Sequence, residues 1–214
     1  MFSLAQTPRC WHNAPNTAHT GAAMKHSLGP ITLLYPMPAL LIGTYDAHGK
    51  ANVMTAAWGG ICCSAPPCVA VSVRPERHTC QAIPARRAFT VSIAPCRLAA
   101  EADYAGIVSG ANVNKFAVTG LTAARSLLVD APYVEECPVV LECELFRTLE
   151  LGSHTQFVGR ILDVKVDEDC LTPDGKPDIA RIDPLAFDAG QRAYHSLGAF
   201  VGQAFSIGKR CEQP

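Results

Sequence analysis

Short segments in which apolar and polar residues alternate recur along this chain, and they constrain its fold more than any other feature. In 68–74, Val69, Val71 and Val73 fall on one face of a strand. Similar runs rich in Val, Ile and Phe predict strands at 39–46, 51–58, 68–74, 88–94, 139–149 and 154–167. Helices are predicted only at about 76–86 and 98–109, and 168–185 is predicted to be a loop. We therefore expect a mainly β protein, a closed or nearly closed antiparallel barrel with helical decorations.

Length and composition exclude several classes of protein. Hydrophobic residues make up 49% and charged residues 17% of the 214 positions, which excludes an intrinsically disordered chain. The net charge of −1 argues against nucleic acid or an anionic membrane surface as a partner. The longest apolar stretch, 31–45, is interrupted by Pro36 and Pro38 and is too short to span a bilayer.

The first residues differ in character from the rest. Residues 1–23 are rich in polar residues and proline and lack the apolar run of a secretory signal. We expect a poorly ordered extension there, a single domain over 24–214, and Met24 as the candidate natural start. Ten cysteines without a signal or a C-x-x-C pair indicate free thiols in a reducing cytoplasm. Most of them, such as Cys143, are expected to be small core residues.

The end of one predicted strand gathers groups that suit an anion. Ser72 and Arg74 share a strand face, and Arg77 and Thr79 follow where a helix is expected to begin. Hydroxyl, guanidinium and free backbone N–H groups are phosphate donors. An ordinary solvated strand end with salt bridges is the alternative. Lys115, farther along the chain, offers another positive charge.

The segment 52–60 surrounds one tryptophan, Trp58, with alanine and glycine, which leaves room for a flat ligand. Asn52 and Thr55 face opposite sides of a regular strand, so both reach one ligand only through a bulge or bend. A core tryptophan with small neighbours is the alternative. His154, at the start of a predicted strand, is either a structural histidine or one recruited for chemistry near neutral pH.

In this order the segments resemble the motifs of the flavin reductase-like family of FMN-binding split barrels, and within it the flavoredoxin branch. The resemblance runs from about Met24 to Lys209. Its strongest stretches are 35–46, 52–63, 72–79, 109–116 and 152–159. It implies a six-stranded antiparallel split barrel of Greek-key type that dimerises, with FMN near the subunit interface.

The resemblance also implies roles for individual residues. Those implied at the phosphate end of FMN are Ser72, Arg74, Arg77, Thr79 and Lys115. Those implied at the isoalloxazine end are Asn52, Thr55, Trp58 and Cys63. His154 is implied beside the reactive edge of the ring as the catalytic proton donor or orienting group, and Phe187 is implied to cover the flavin from a later loop.

The function that follows is that of an FMN-dependent oxidoreductase with NAD(P)H or a redox protein as its partner. The chain has no Gly-x-Gly-x-x-Gly fingerprint, which argues against a Rossmann site but not against nicotinamide stacked on the flavin. A non-catalytic FMN-binding barrel that acts as a sensor or flavin store is the alternative from another class. A metal site of His154, Cys62 and Cys63 is disfavoured, because adjacent cysteines in a strand point to opposite faces.

Overall fold

A computed structural model describes residues 24–212 of the chain. Residues 24–32 contain neither helix nor strand, and the compact unit begins at Leu33. The extension expected at 1–23 lies outside the described residues. Within the described range no helix is long and apolar enough to cross a membrane.

Strands make up most of the regular structure. The strands are β1 Met37–Pro38, β2 Leu40–Tyr45, β3 Ala51–Ala56, β4 Gly59–Ser64, β5 Pro67–Val73, β6 Ala88–Ile93, β7 Ala123–Arg125, β8 Pro132–Val134, β9 Val139–Glu150, β10 Thr155–Val166, β11 Ala186–Asp188 and β12 Ala193–His195. The α-helices are α1 His78–Arg86, α2 Ala99–Ile107, α3 Lys115–Thr119 and α4 Ile179–Ile182. Short 3-10 helices lie at Cys96–Leu98, Glu168–Cys170 and Ile207–Glu212.

The main sheet has seven antiparallel strands in the order β3-β2-β6-β9-β10-β5-β4. Its two edge strands, β3 and β4, follow each other in sequence and are joined only by Ala57 and Trp58. The sheet is thus a barrel whose ladder of hydrogen bonds is open between β3 and β4. This confirms the predicted antiparallel split barrel, with one strand more than the six expected. The strand expected at 51–58 ends at Ala56, and β4 is a separate strand that the sequence did not predict.

Apolar side chains pack against both faces of β2 and β3. Ile42 and Met54 join Phe89 and Phe157 in a cluster on one face of the sheet. On the other face, Leu41 packs in a second cluster with Val53 of β3 and with residues of α2 and α3. Because both faces are buried, these two strands form a rigid wall from which α2 and α3 are held in place.

A close backbone contact ties β8 to the main sheet. A Cβ atom on Gly43 of β2 would lie 2.0 Å from the carbonyl oxygen of Pro132. That oxygen accepts a buried hydrogen bond of 2.6 Å from the Thr90 hydroxyl of β6. A glycine is therefore required at this position of β2, because any side chain would collide with backbone.

The two predicted helices are present, as α1 and α2. The loop predicted at 168–185 is only partly a loop, because it contains α4 and a 3-10 helix. Asp178 caps α4 by accepting a hydrogen bond of 2.9 Å from the Ala180 N–H, and four residues are too few to show helical periodicity. Farther on, β11 and β12 form a hairpin that pairs with β1 in a second, three-stranded sheet.

The cysteines are divided between core and surface. Cys68, Cys137, Cys143 and Cys170 are buried, whereas Cys62, Cys63 and Cys211 are exposed. Burial raises the pKa of Cys137 and of Cys143 to about 12, so both remain neutral thiols at physiological pH. Of the nine cysteines in the described part of the chain, these four are buried and Cys80 and Cys96 pack against the core while partly exposed, so the expectation of core cysteines is met by six and is wrong for the three exposed ones.

Candidate functional site

A cavity of about 530 Å³ opens where β3 ends and the chain crosses to β4. Its lining combines aromatic, small and cationic side chains: Met54, Thr55, Ala56, Ala57, Trp58, Ser72, Arg74, Arg77, His154, Phe187 and Arg192. An adjoining lobe of about 440 Å³ shares Thr55, Ala57, Arg77, Phe187 and Arg192 with it. We refer to these as the main cavity and the side lobe. Together they have the size of an ordinary ligand site.

The main cavity has an aromatic wall. The rings of Trp58 and His154 stack with centroids 4.5 Å apart and an interplanar angle of 28°. The Ser153 hydroxyl lies 2.9 Å from Nδ1 of His154 and fixes the orientation of that ring. Phe187 reaches the cavity from a distant part of the chain because β11 pairs with β1, with Met37 opposite Phe187. These flat surfaces suit a planar aromatic ligand.

A narrow cationic cleft of about 10 Å³ adjoins the main cavity at Met54 and Arg77 and is lined also by Asn52, Thr79, Ser109, Gly110 and Lys115. Arg77 Nη1 donates to the Gly106 carbonyl at 3.0 Å, and Lys115 Nζ donates to the Ala105 carbonyl at 2.6 Å. Both carbonyls belong to the last turn of α2, where the helix dipole favours positive charge. Burial, together with the nearby Arg77 guanidinium, lowers the pKa of Lys115 to about 8.

Among the residues that the structure describes, two buried polar atoms near this cleft lack a hydrogen-bond partner, Asn52 Oδ1 and His78 Nε2, although His78 Nε2 lies 3.9 Å from Asp46 Oδ2. Asn52 Nδ2 donates to the Thr79 hydroxyl at 3.1 Å, which leaves the amide oxygen of Asn52 as a spare acceptor. An unsatisfied buried polar atom costs about 1–3 kcal/mol. A ligand that brings a hydroxyl or N–H group to Asn52 would recover this free energy.

These groups fit FMN. Arg77 and Lys115 supply charge-assisted donors for a phosphate, and Asn52 supplies an acceptor for a hydroxyl or N–H group of the ligand. Trp58 and Phe187 supply flat apolar surface for the three-ring system. The chemistry of the site therefore matches a phosphate-bearing aromatic cofactor.

The structure brings most of the predicted site residues together. Those that line the main cavity are Thr55, Trp58, Ser72, Arg74, Arg77, His154 and Phe187. Those that line the cationic cleft are Asn52, Thr79, Lys115 and again Arg77. Cys63 lies on the exposed strand β4 and lines neither space.

The residues are grouped differently from the expectation. Asn52 was expected with Thr55 at the ring end, but it lies in the cationic cleft beside Thr79. Ser72 and Arg74, expected at the phosphate end, line the same cavity as Trp58. The reason is that β3 pairs with β2 in unbroken register, without a bulge that would bring Asn52 and Thr55 to one face. Asn52 therefore faces α1, whereas the Thr55 hydroxyl on the opposite face donates to the Ala102 carbonyl of α2.

Sequence reasoning missed several residues of the site, above all Arg192, which lines both the main cavity and the side lobe. Tyr194 and Asp103 border the side lobe and are joined by a hydrogen bond of 3.1 Å. Arg192 and Tyr194 lie in an irregular stretch without a recognisable motif, so only the pairing of β11 with β1 reveals their position.

Comparison with known proteins identifies similar sequences and similar folds. The flavoredoxin of Desulfovibrio vulgaris (Miyazaki F) is 52% identical, with a TM-score of 0.83, over 87% of this chain and all of that one. The flavoredoxin of Methanosarcina acetivorans is 31% identical, with a TM-score of 0.81, over 88% of this chain and all of that one. An uncharacterised protein of Archaeoglobus fulgidus is 36% identical over 68% of this chain and 80% of its own length. Residues 32–197 match the flavin reductase like domain. Because this match spans well over half of the chain, the protein belongs to the flavin reductase-like family.

Proposed function

We propose that this protein binds FMN and acts as an FMN-dependent oxidoreductase of the flavin reductase or flavoredoxin type. The position of Arg77 carries the proposal. Arg77 borders both the aromatic main cavity and the narrow cationic cleft, so a ligand whose ring lies in the main cavity can bring its phosphate to Arg77, and the cleft has to widen to bring that phosphate to Lys115. The two similar flavoredoxins support the same assignment.

Different residues of the site contact different parts of the ligand. Arg77 and Lys115 hold the phosphate, Asn52 accepts a hydrogen bond, and Trp58 and Phe187 pack against the ring. When bound, FMN supplies hydride or single-electron transfer. The protein orients the ring and excludes water from the face that its aromatic residues cover.

The first experiment is a visible absorption spectrum of the purified, desalted protein, followed by titration with FMN. We expect uptake of one FMN per chain. A colourless protein that fails to take up FMN would overturn the proposal. Anaerobic bleaching by NADH or NADPH would identify a flavin reductase, and bleaching only by a reduced iron–sulfur protein would identify an electron carrier. Bound FMN that none of these donors reduces would favour the sensor or flavin store instead.

His154 is proposed to hold a proton beside the reactive edge of the ring. Ser153 engages Nδ1, which directs Nε2 as the nitrogen available to a ligand. We expect His154→Ala to retain FMN but to slow its reduction by about 100-fold, in the range of general acid catalysis. Stopped-flow bleaching measures this rate, and His48→Ala, at an exposed histidine in the β2–β3 turn, is the control. Unchanged reduction kinetics in His154→Ala would remove this residue from the mechanism.

The lowered pKa of Lys115 predicts how FMN affinity depends on pH. The ammonium form binds a phosphate, so affinity is high below about pH 8 and falls as the free protein loses this proton. We expect FMN binding to weaken by about tenfold between pH 7 and pH 9, measured by quenching of flavin fluorescence. Lys115→Met should bind more weakly and show little pH dependence over this range. A wild-type affinity that is flat with pH would contradict a phosphate at Lys115.

The homodimer implied by the resemblance remains a prediction. It is favoured by β4, an edge strand of the main sheet on which Ile61 is 69% exposed. Natural proteins usually cover an edge of this kind, and a second copy of the chain would do so.

A further inference from the structure

The hairpin of β11 and β12 is held by one carboxylate. Asp188 Oδ1 accepts hydrogen bonds from Gly190 N at 2.8 Å, from Gln191 N at 3.0 Å and from the Tyr35 hydroxyl at 2.6 Å. The Tyr35 hydroxyl in turn accepts from Gly190 N at 3.1 Å. Two turn amides and a side chain from the other end of the compact unit thus converge on Asp188, which fixes the conformation of the turn.

The turn presents Arg192 to the site in a conformation that few arginines adopt. Its φ is 53°, in the left-handed region, which is unfavourable for a non-glycine residue. Strain of this kind persists where the surrounding structure imposes it, as Asp188 does here. The hydrogen bonds to Asp188 therefore hold Arg192 at the boundary between the main cavity and the side lobe, and Arg192 lines both of them.

Arg192 has no protein partner in the described part of the chain: no carboxylate lies within ion-pair distance and no side-chain hydrogen bond is formed. The acid that borders the same lobe, Asp103, instead accepts a hydrogen bond from Tyr194. The other cation of the lobe, Arg77, already donates to Gly106 and lies near Lys115. Arg192 is exposed to solvent and is thus a positive charge at the rim of the site that is not used by another group of the described residues.

Apart from Thr55 and Asp103, the rest of the side lobe is mostly apolar. It is bordered by Ala39, Ile107, Phe187, Ala189 and Tyr194, and the rings of Phe187 and Tyr194 lie 5.5 Å apart and are tilted by 50° to each other. A guanidinium at the rim of such a surface favours a planar molecule that carries an anionic group. A carboxylate matches the guanidinium in geometry, since two parallel hydrogen bonds can form between them.

We propose that Arg192 is a specificity-determining residue that binds the carboxylate of a planar reactant in the side lobe, next to the FMN of the main cavity. This inference rests on the proposed function, because the reactant exchanges electrons with FMN there. Asp188 is a positioning residue that acts through Arg192.

Benzoate and its neutral analogue benzamide test the proposal. Each is titrated into FMN-loaded protein, and binding is followed by the perturbation of the visible flavin spectrum. In the wild type we expect benzoate to bind more tightly than benzamide. Arg192→Gln should weaken benzoate binding by about tenfold and leave benzamide unchanged. Arg125→Gln, at an exposed arginine outside both cavities, should change neither.

A double substitution separates positioning from a merely structural role. Asp188→Ala, which removes the Oδ1 acceptor, should weaken benzoate binding in the wild-type background but add no further loss to Arg192→Gln. Tyr35→Phe removes only one hydrogen bond to Asp188 and should give a smaller loss in the same direction. Additive losses in the Asp188 and Arg192 variants would contradict a role exerted through Arg192.

The outcomes distinguish the two proposals. Failure of the wild type to take up FMN overturns both the proposed function and this inference. If FMN binds normally but benzoate binds the wild type and Arg192→Gln equally, or does not bind at all, only the role of Arg192 is overturned. If Arg192→Gln instead loses FMN affinity and benzoate selectivity is unaffected, Arg192 serves the cofactor and the inference is wrong.

Discussion

Replacement of Arg77 by methionine is expected to weaken FMN binding by about 10- to 100-fold, the largest loss of affinity from any single change in the site. Methionine retains the apolar stem but removes the guanidinium, which donates to Gly106 and borders the main cavity, the side lobe and the cationic cleft. Hydrogen bonds to charged groups contribute about 1.5–3 kcal/mol each, which corresponds to this range. Titration of the FMN-free protein with FMN, followed by flavin fluorescence, measures the dissociation constant.

Riboflavin provides the matched test of what Arg77 recognises. Because riboflavin lacks the phosphate, Arg77→Met should reduce its affinity much less than that of FMN. The control variant is Arg125→Met, at an exposed arginine remote from the site, and it should bind both flavins like the wild type. Equal losses for FMN and riboflavin would show that Arg77 serves the ring rather than the phosphate.

Substitution of Gly43 by alanine should have the largest effect on stability. The new methyl group would lie 2.0 Å from the Pro132 carbonyl oxygen and 2.4 Å from the Thr90 hydroxyl. The Thr90 side chain can rotate away, but the carbonyl belongs to the backbone of β8 and moves only if that strand shifts. We expect the free energy of unfolding to fall by about 3 kcal/mol or more, and the melting temperature by roughly 6–12 °C. Urea and thermal unfolding followed by circular dichroism measure both quantities.

Gly60→Ala is the matched control, since Gly60 also lies in a strand of the main sheet but a Cβ atom there meets no atom of residues 24–212 within 4 Å. Alanine at position 60 should change the free energy of unfolding by less than about 1 kcal/mol. A small increase in stability is expected if the backbone at this position is compatible with alanine, because alanine restricts the unfolded chain more than glycine does. Equal unfolding midpoints for the two variants would show that β8 does not press on Gly43 as the structure indicates.

The strands that could be predicted are those in which one face is buried, because burial of one face requires apolar and polar residues to alternate along the strand. In β5, Val69, Val71 and Val73 are buried in one cluster, as their spacing predicts. β4 escaped prediction because it is an edge strand, exposed along most of its length, so burial imposes no pattern on its residues. The β11–β12 hairpin escaped for another reason. Its strands have three residues each, and its turn is fixed by Tyr35, which lies 153 residues from Asp188.

The residue types of the site could be predicted better than their arrangement. Hydroxyl, amide and guanidinium groups near Trp58 indicate a phosphate-bearing aromatic ligand, but which of them meet depends on strand register. Asn52 and Thr55 were expected to reach one ligand through a bulge, whereas the unbroken pairing of β3 with β2 sends them to opposite faces. Arg192 carries no local signal at all, because only long-range pairing brings it to the cavity.

The opening in the barrel has a consequence for what the site selects. Within residues 24–212, β3 has a strand neighbour only on its β2 side, so the amides and carbonyls along its other edge have no partner strand where Ala56 borders the main cavity. A hydrocarbon ligand would displace water from these backbone groups without forming hydrogen bonds to them, which is unfavourable. A heterocycle with N–H and C=O groups around its rim can pair with them in the plane of the sheet, much as another strand would. The open edge of β3 therefore favours polar heterocycles over hydrocarbon ligands, independently of the side chains of the site.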